Sequence, residues 1–360
     1  MKNEHRLMLE LCRFADPEKD KIEALMQQPI DYPVVLGQLL YNRMGAAAYH
    51  TLKECGLLGR VSREFRSPLK DMYDIGREKT ESFREALNII DGMMAGVNFP
   101  YALLKGAYLA SVYPTGLRTS NDIDILIKQI HISHLSERLR ANGFEQGCIR
   151  NGEFVPASRM DIVSSQMNRG ETVPFIKRIG LPKMEYCEID VNFSVDYKTA
   201  QETDIVRVLL RNTRKLINDS LPTLPPADFL IHLCVHLYKE ATVFNWVEMG
   251  RDLSLYKFCD IYLLIHKWKC EEYFQELRYR IHQYGLQREC YYALLYTKKL
   301  FRIENMDRLL TAVKPDDTAY LREVINPSEQ KRYRYDETFI NWFFCGGRKE
   351  RLYEVTDETA

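Results

Sequence analysis

The spacing of hydrophobic and polar positions changes rhythm twice along this chain. Up to residue 98 apolar residues recur at helical intervals among charged ones. Asp16 followed by Pro17 predicts an N-cap and a helix reaching Gln28. Pro29 and Pro33 interrupt the pattern. A further helical stretch covers 34–55 and ends at Gly56, and a long mixture of charged and apolar residues over 61–95 predicts one long helix or two.

At Asn98 the texture shifts. FPYALLK (99–105) predicts a short buried strand, and GAYLASVY (106–113) a helix. DIDILIK (122–128) is rich in β-branched residues and predicts a strand, and 131–143 predicts a helix closed by Gly143. Residues 144–180 alternate weakly, contain several Gly and Pro, and predict short strands and turns. MEYCEIDVNFSVDY (184–197) alternates most clearly. Cys187, Ile189, Val191, Phe193 and Val195 fall on one face; Tyr186, Glu188, Asp190, Asn192 and Ser194 fall on the other. After residue 200 the helical rhythm returns. A helix is expected over 201–215, then a loop with Pro222, Pro225 and Pro226, then helices from about 227 to 325. The pattern gives an α+β fold in four segments: a helical region (1–98), a small mixed sheet with helices (99–200), a second helical region (201–325) and a polar tail (326–360).

Composition changes this picture little. The chain has 360 residues, 46% apolar and 28% charged, with a formal net charge of zero. That is an ordinary globular composition, and it carries none of the excess positive charge of a nucleic-acid binder. No apolar run approaches the roughly 18–20 residues of a membrane span, so no membrane partner is expected. MKNEHRLMLELCRF mixes acidic and basic residues without a cleavage site, and no signal peptide is expected. Nine cysteines are scattered without a CxxC pair. They read as reduced thiols of a cytoplasmic protein.

The candidate chemistry lies on the two strands. Asp122 and Asp124 are two apart, so both carboxylates leave one face about 6–7 Å apart at the backbone. Like charges so placed call for a cation, and Mg²⁺ (or Mn²⁺) suits a few carboxylates plus substrate phosphates. Asp190, on the polar face of 184–197, completes a three-carboxylate cluster if the two strands are neighbours; Glu188 is the fallback. At LLKGAYLA (103–110), Lys105, Gly106 and Ala107 form a strand-to-helix turn whose amides suit phosphate. Arg118, Thr119 and Ser120 bring further donors just before the acids.

LLKGAYLASVYPTGLRTSNDIDILIK (103–128) resembles the signature of the polymerase-β-like nucleotidyltransferase superfamily. Within it, the chain is most similar to a bacterial family of uncharacterised nucleotidyltransferases. YCEIDVNFSV (186–195) and RDLSLYKFCDIYLLI (251–265) extend the likeness, which covers roughly 99–270. The resemblance implies that Asp122, Asp124 and Asp190 bind metal and catalyse. It also implies that Lys105, Gly106, Ala107, Arg118 and Ser120 hold a nucleoside triphosphate, and that a nucleoside monophosphate passes to an acceptor hydroxyl or phosphate. The acceptor, whether small molecule, RNA or protein, is left open. Ala107 stands where the superfamily usually has glycine or serine, and Asn192 where relatives often carry histidine. Two alternatives therefore stay open: a nucleotide- or partner-binding module of the same fold without turnover, and a toxin–antitoxin-type nucleotidyltransferase that modifies RNA or a protein.

Two further patterns are read as structural. Asp228, His232 and His236 share one helix face at a metal-compatible spacing, but packing beside Phe229, Leu233 and Leu237 accounts for them. RVLLRNTRKL (207–216) reads as a solvated basic helix face.

Overall fold

A computed structural model describes residues 1–195, 204–303 and 306–355. By compactness the chain divides into two units, one of residues 1–73 with 230–360, the other of residues 74–229.

The first unit opens with α1 (Asn3–Leu11), α2 (Lys19–Met26), α3 (Tyr32–Tyr41) and α4 (Gly45–Glu54). Asp16 does not cap α2, which starts at Lys19 after an uncapped Glu18. The Asp16 carboxylate instead pairs with Arg13 at 3.3 Å. The expected single stretch over 34–55 is two helices. Asn42 ends the first: its amide nitrogen donates to the Gln38 carbonyl at 2.9 Å, and its amide oxygen accepts from the Leu255 N–H at 2.9 Å. Arg43 then takes a left-handed conformation (φ 59°).

The helix α5 (Arg63–Met94) is continuous despite Pro68. It runs from the first unit into the second. There Phe83, Ala86, Leu87, Ile90, Met93 and Met94 are all buried. Their spacing is that of a single helix face.

The second unit continues with β1 (Tyr101–Leu103), α6 (Gly106–Val112), β2 (Asp122–Ile127) and α7 (Ile132–Ala141). Next come β3 (Glu145–Arg150), β4 (Glu153–Pro156), α8 (Arg159–Arg169), β5 (Phe175–Leu181) and β6 (Met184–Asn192). It ends with α9 (Asp204–Arg211), β7 (Arg214–Ile217), β8 (Leu221–Thr223) and the start of α10 (Pro226–Thr242). The strands form one mixed sheet in the order β4-β3-β5-β6-β2-β1-β8-β7. β2 is central, parallel to β6 and antiparallel to β1. Ile123, Ile125, Leu126 and Ile127 are fully buried. A central strand covered on both faces needs such a run.

Three expectations change here. Residues 144–180 contain a helix, α8. Its start carries a capping box in which Ser158 and Asp161 bond each other's backbone N–H. The strand at 184 ends at Asn192 rather than 197, and Tyr197 lies outside the described residues. The helix expected over 201–215 stops at Arg211, and Arg214–Ile217 pairs with β8 as a strand.

The first unit resumes with the rest of α10, then α11 (Phe244–Glu248), α12 (Leu255–Lys267), α13 (Glu271–Tyr284), α14 (Gln287–Leu300) and α15 (Met306–Val313). β9 (Glu323–Asn326), β10 (Lys331–Tyr335), α16 (Phe339–Phe343) and β11 (Leu352–Glu354) follow, with β10 central in an antiparallel sheet of three. The segment read as a polar tail thus folds into strands and a helix within residues 326–355, and Trp342 is 1% exposed. Its aromatic residues do this work: Trp342 stacks on Tyr335 at 4.3 Å and Phe339 stacks on Tyr296 at 3.9 Å. Arg348 is buried and donates to both carboxylate oxygens of the buried Asp252, each at 2.6 Å. Its remaining donors reach the carbonyls of Leu253, Phe343 and Cys345. Among the described residues no helix is long and apolar enough to cross a membrane.

Candidate active site

The pairing of β2 with β6 decides where the acids go. The register sets Asp124 beside Asp190 and Asp122 beside Glu188. Partners across a ladder project to the same face, and neighbouring strands lie about 4.8 Å apart. Four carboxylates therefore share one face of two adjacent strands. The alternation of β6 buries Cys187, Ile189 and Val191 behind them.

The loop Pro114–Asn121 approaches these acids from one side. The Ser120 hydroxyl donates to Asp122 Oδ1 at 2.7 Å, and Arg118 donates to the Thr119 carbonyl at 2.7 Å. The loop is fastened to α5. Lys79 hydrogen-bonds the Asn121 side chain, Arg84 donates to the Thr115 hydroxyl at 3.1 Å, and Gly76 meets Gly116 backbone to backbone. A Cβ on Gly76 would stand 2.3 Å from the Gly116 carbonyl oxygen, so only glycine fits. Nothing in the pattern of 61–95 pointed to function; the part of α5 in framing this loop emerges only from the structure.

The turn after β1 meets both the acid strand and this loop. The Leu104 N–H donates to the Asp124 carbonyl at 3.0 Å, which ties the turn to the acid strand. Gly106 was expected to permit the turn, but the positive φ belongs to Lys105 (φ 42°, ψ −115°). Gly106 serves another purpose: a Cβ there would lie 2.5 Å from Ser120 Oγ. The glycine lets the turn and the loop close on each other. The Ala107 N–H is engaged by the Leu104 carbonyl at 3.2 Å. The Lys105 ammonium reaches Asp124 Oδ1 at 2.7 Å. Asn192 also donates to Asp124 Oδ1, at 3.3 Å, from the position where a histidine was expected.

Charge is unequally met within the cluster. Burial pushes the Asp190 carboxyl well above the ordinary value, and the Asp124, Asp122 and Glu188 charges push the same way. Asp124 is raised by burial and by Asp122, against the pull of Lys105. Glu188 is raised by burial, Asp122 and Asp124. Asp122 is the exception. Burial pushes it up, but Lys105, the Ser120 hydroxyl, its own backbone amide and Arg118 together hold it below the usual range. Among the described residues no three His, Cys, Asp or Glu side chains converge as a ready-made metal site. The acids share a face without sharing a ligand point, with the Lys105 ammonium seated on Asp124.

The other histidine and acid pattern has its own partners. His236 Nε2 lies 3.3 Å from Glu240, which also takes the Lys257 ammonium at 2.8 Å, and His232 stacks on His236.

The family model described as uncharacterised nucleotidyltransferase matches residues 28–302. The chain belongs to this family. It is accordingly a nucleotidyltransferase, a transferase whose acceptor the family description leaves open. The match takes in the whole sheet of this nucleotidyltransferase and most of its helices, and ends before the C-terminal sheet. No curated protein sequence matches the chain.

Proposed function

We propose that this nucleotidyltransferase moves a nucleoside monophosphate from a nucleoside triphosphate to an acceptor hydroxyl or phosphate, with Mg²⁺ or Mn²⁺, at a centre within residues 99–200. The observation that carries the reading is the in-register pair Asp124 and Asp190 with Asp122 on the same strand. Buried like charges on one face fit a hard divalent cation with oxygen ligands, because that ion offsets both the burial and the mutual repulsion that raise Asp190. Asp122, Asp124 and Asp190 are the residues that would hold it. When bound, the ion supplies positive charge to the triphosphate and lowers the pKa of the acceptor hydroxyl.

The chain's own groups do the rest. Lys105, Arg118 and Ser120 bring donors to the phosphates, next to the Gly106–Ala107 turn. With the Ala107 amide already bonded, the weight falls on the side chains. The acceptor oxygen attacks the α-phosphorus, the bond to the β-phosphate oxygen breaks, and pyrophosphate leaves. The acceptor's proton passes to the Asp190 carboxylate, which lies in register with Asp124 on the neighbouring strand. All nine cysteines are free thiols. We read them as fitting a reducing, cytoplasmic setting.

One observation favours the alternative of a binding module without turnover: the ammonium already on Asp124. Incubation with each labelled triphosphate, Mg²⁺ or Mn²⁺, and RNA, cell extract or small molecules separates the two. Transfer yields pyrophosphate and a labelled acceptor, both absent in Asp124→Asn. Triphosphate binding with no pyrophosphate under any condition sinks the transferase reading.

A further inference from the structure

We propose that Lys105 is a resident counter-cation of Asp124, which it surrenders when a divalent ion enters, so that the lysine and the ion compete for the same carboxylate. The inference rests on the metal reading above and adds a competitor to it.

Three observations converge on Lys105. Its ammonium stands 2.7 Å from Oδ1 of Asp124, the most deeply buried of the four acids, whose side chain is 2% exposed. Second, the backbone at Lys105 is held in a region that non-glycine residues rarely enter (φ 42°, ψ −115°). Such a conformation persists only where the surroundings over-determine it, and it is commonest at functional sites. Here the surroundings are visible: the Leu104 N–H bonds the Asp124 carbonyl, and Gly106 is packed against Ser120. The turn thus fixes where the lysine stem begins, beside the strand whose charge it meets. Third, one ammonium does not balance the cluster. Asp190 and Glu188 remain raised, by burial first and then by their neighbours' charges, while Lys105 lies on Asp124.

A single positive charge holding one of several facing carboxylates is a partial solution, and a divalent ion is a better one. The two cannot both sit on Asp124 Oδ1 without like-charge repulsion. Lysine suits the role because its ammonium is a compact charge on a flexible stem, able to leave for another anion. The Lys105 side chain is 23% exposed, so its outer part meets solvent. An arriving triphosphate offers the displaced ammonium a new partner. Nucleotide and metal then favour each other, and metal alone binds weakly.

The test is Mn²⁺ binding to the full chain without nucleotide, followed by electron paramagnetic resonance, with the Mn²⁺-induced thermal shift as a second readout. Lys105→Met keeps most of the stem and removes the charge, and Lys105→Gln is a second neutral variant should the first fold poorly. Either should bind Mn²⁺ about tenfold more tightly than the unmodified chain, and its thermal shift should be larger. Lys105→Arg keeps the charge and should stay within about twofold of the unmodified chain. Equal or weaker Mn²⁺ binding in both neutral variants overturns the proposal, as does tightening in the arginine variant. Absence of Mn²⁺ binding in every protein overturns the metal reading and this inference together. Binding without tightening removes this inference alone and leaves the nucleotidyl-transfer reading standing.

Discussion

Each compact unit buries aspartates, and treats them in opposite ways. In the helical unit Asp252 is fully buried, and Arg348 meets both of its oxygens while spending its other donors on three carbonyls. In the sheet unit Asp124 and Asp190 are set side by side with further acids facing them, and Lys105 answers only part of their charge. The first arrangement is complete and leaves nothing for a ligand to add. The second is under-neutralised at the cost of stability. Natural chains tolerate such frustration mainly at functional sites. Buried charge alone therefore does not mark the site; buried charge left unmet does. Had Asp252 been judged by burial and motif only, it would have looked as functional as Asp124.

The contrast can be broken most forcefully at Arg348. Arg348→Met should cost about 3–5 kcal/mol in urea unfolding, because it leaves Asp252 buried and uncompensated. Pyrophosphate release at a temperature where the variant stays folded should survive. A stability near that of the unmodified chain would mean the pair is not the lock it resembles. Asp124→Asn should do the reverse. Pyrophosphate release should fall by about a hundredfold or more, with little loss of melting temperature, since the neutral side chain removes a repelled charge along with a lysine partner. A variant that keeps full turnover would move the chemistry elsewhere.

A smaller effect tests the frame around the acids. Gly76→Ala places a Cβ against the Gly116 carbonyl and should destabilise by about 1–3 kcal/mol. The displaced loop carries Arg118 and Ser120, so the KM for triphosphate should rise more than kcat falls. An unchanged KM would detach the loop from nucleotide binding. The smallest effect concerns pH. Asp190 is raised above its ordinary value of 3.8 in the fold. Above that value the unfolded chain releases the proton more readily than the folded one. Ionisation then favours unfolding, and stability falls as pH rises through the window between the two values. Asp190→Asn should raise the metal-free melting temperature by a few degrees at neutral pH. The gain should shrink as pH falls and vanish below about 4, where both states keep the proton. A gain that is constant with pH would have some other cause.

Much of the site could be read from local pattern. The spacing of Asp122 and Asp124, and the alternation that sets Asp190 apart from Ile189 and Val191, are properties of single strands. What joined them, the parallel register of β2 with β6, pairs residues 66 positions apart, as Asp124 with Asp190, and leaves no local trace. Lys105 was visible as a residue beside a glycine, but its positive φ and its ion pair depend on the strand it faces. Asn192 was noted only as a departure, and its bond to Asp124 gives it a place in the site. The helix α8 was legible and overlooked: Ser158 followed by Asp161 three residues on is a helix-start signal, masked by surrounding glycines and prolines. The ordered C-terminal segment had no such signal, because Arg348 finds Asp252 96 residues away.

The helical unit is assembled from two stretches that precede and follow residues 74–229 in sequence, and this has a consequence for how the chain is made. Gln38 on α3 donates to the Phe344 carbonyl, 306 residues later, and His5 stacks on Phe344. A ribosome adding about 5–20 residues per second needs roughly 15–60 s to travel that distance. Residues 74–229 are contiguous and emerge whole within that interval. The nascent sheet unit has all its strands in hand while α1 and α3 still lack the aromatic segment they bind. During translation the early helices are the exposed party, and they are where a chaperone would be needed.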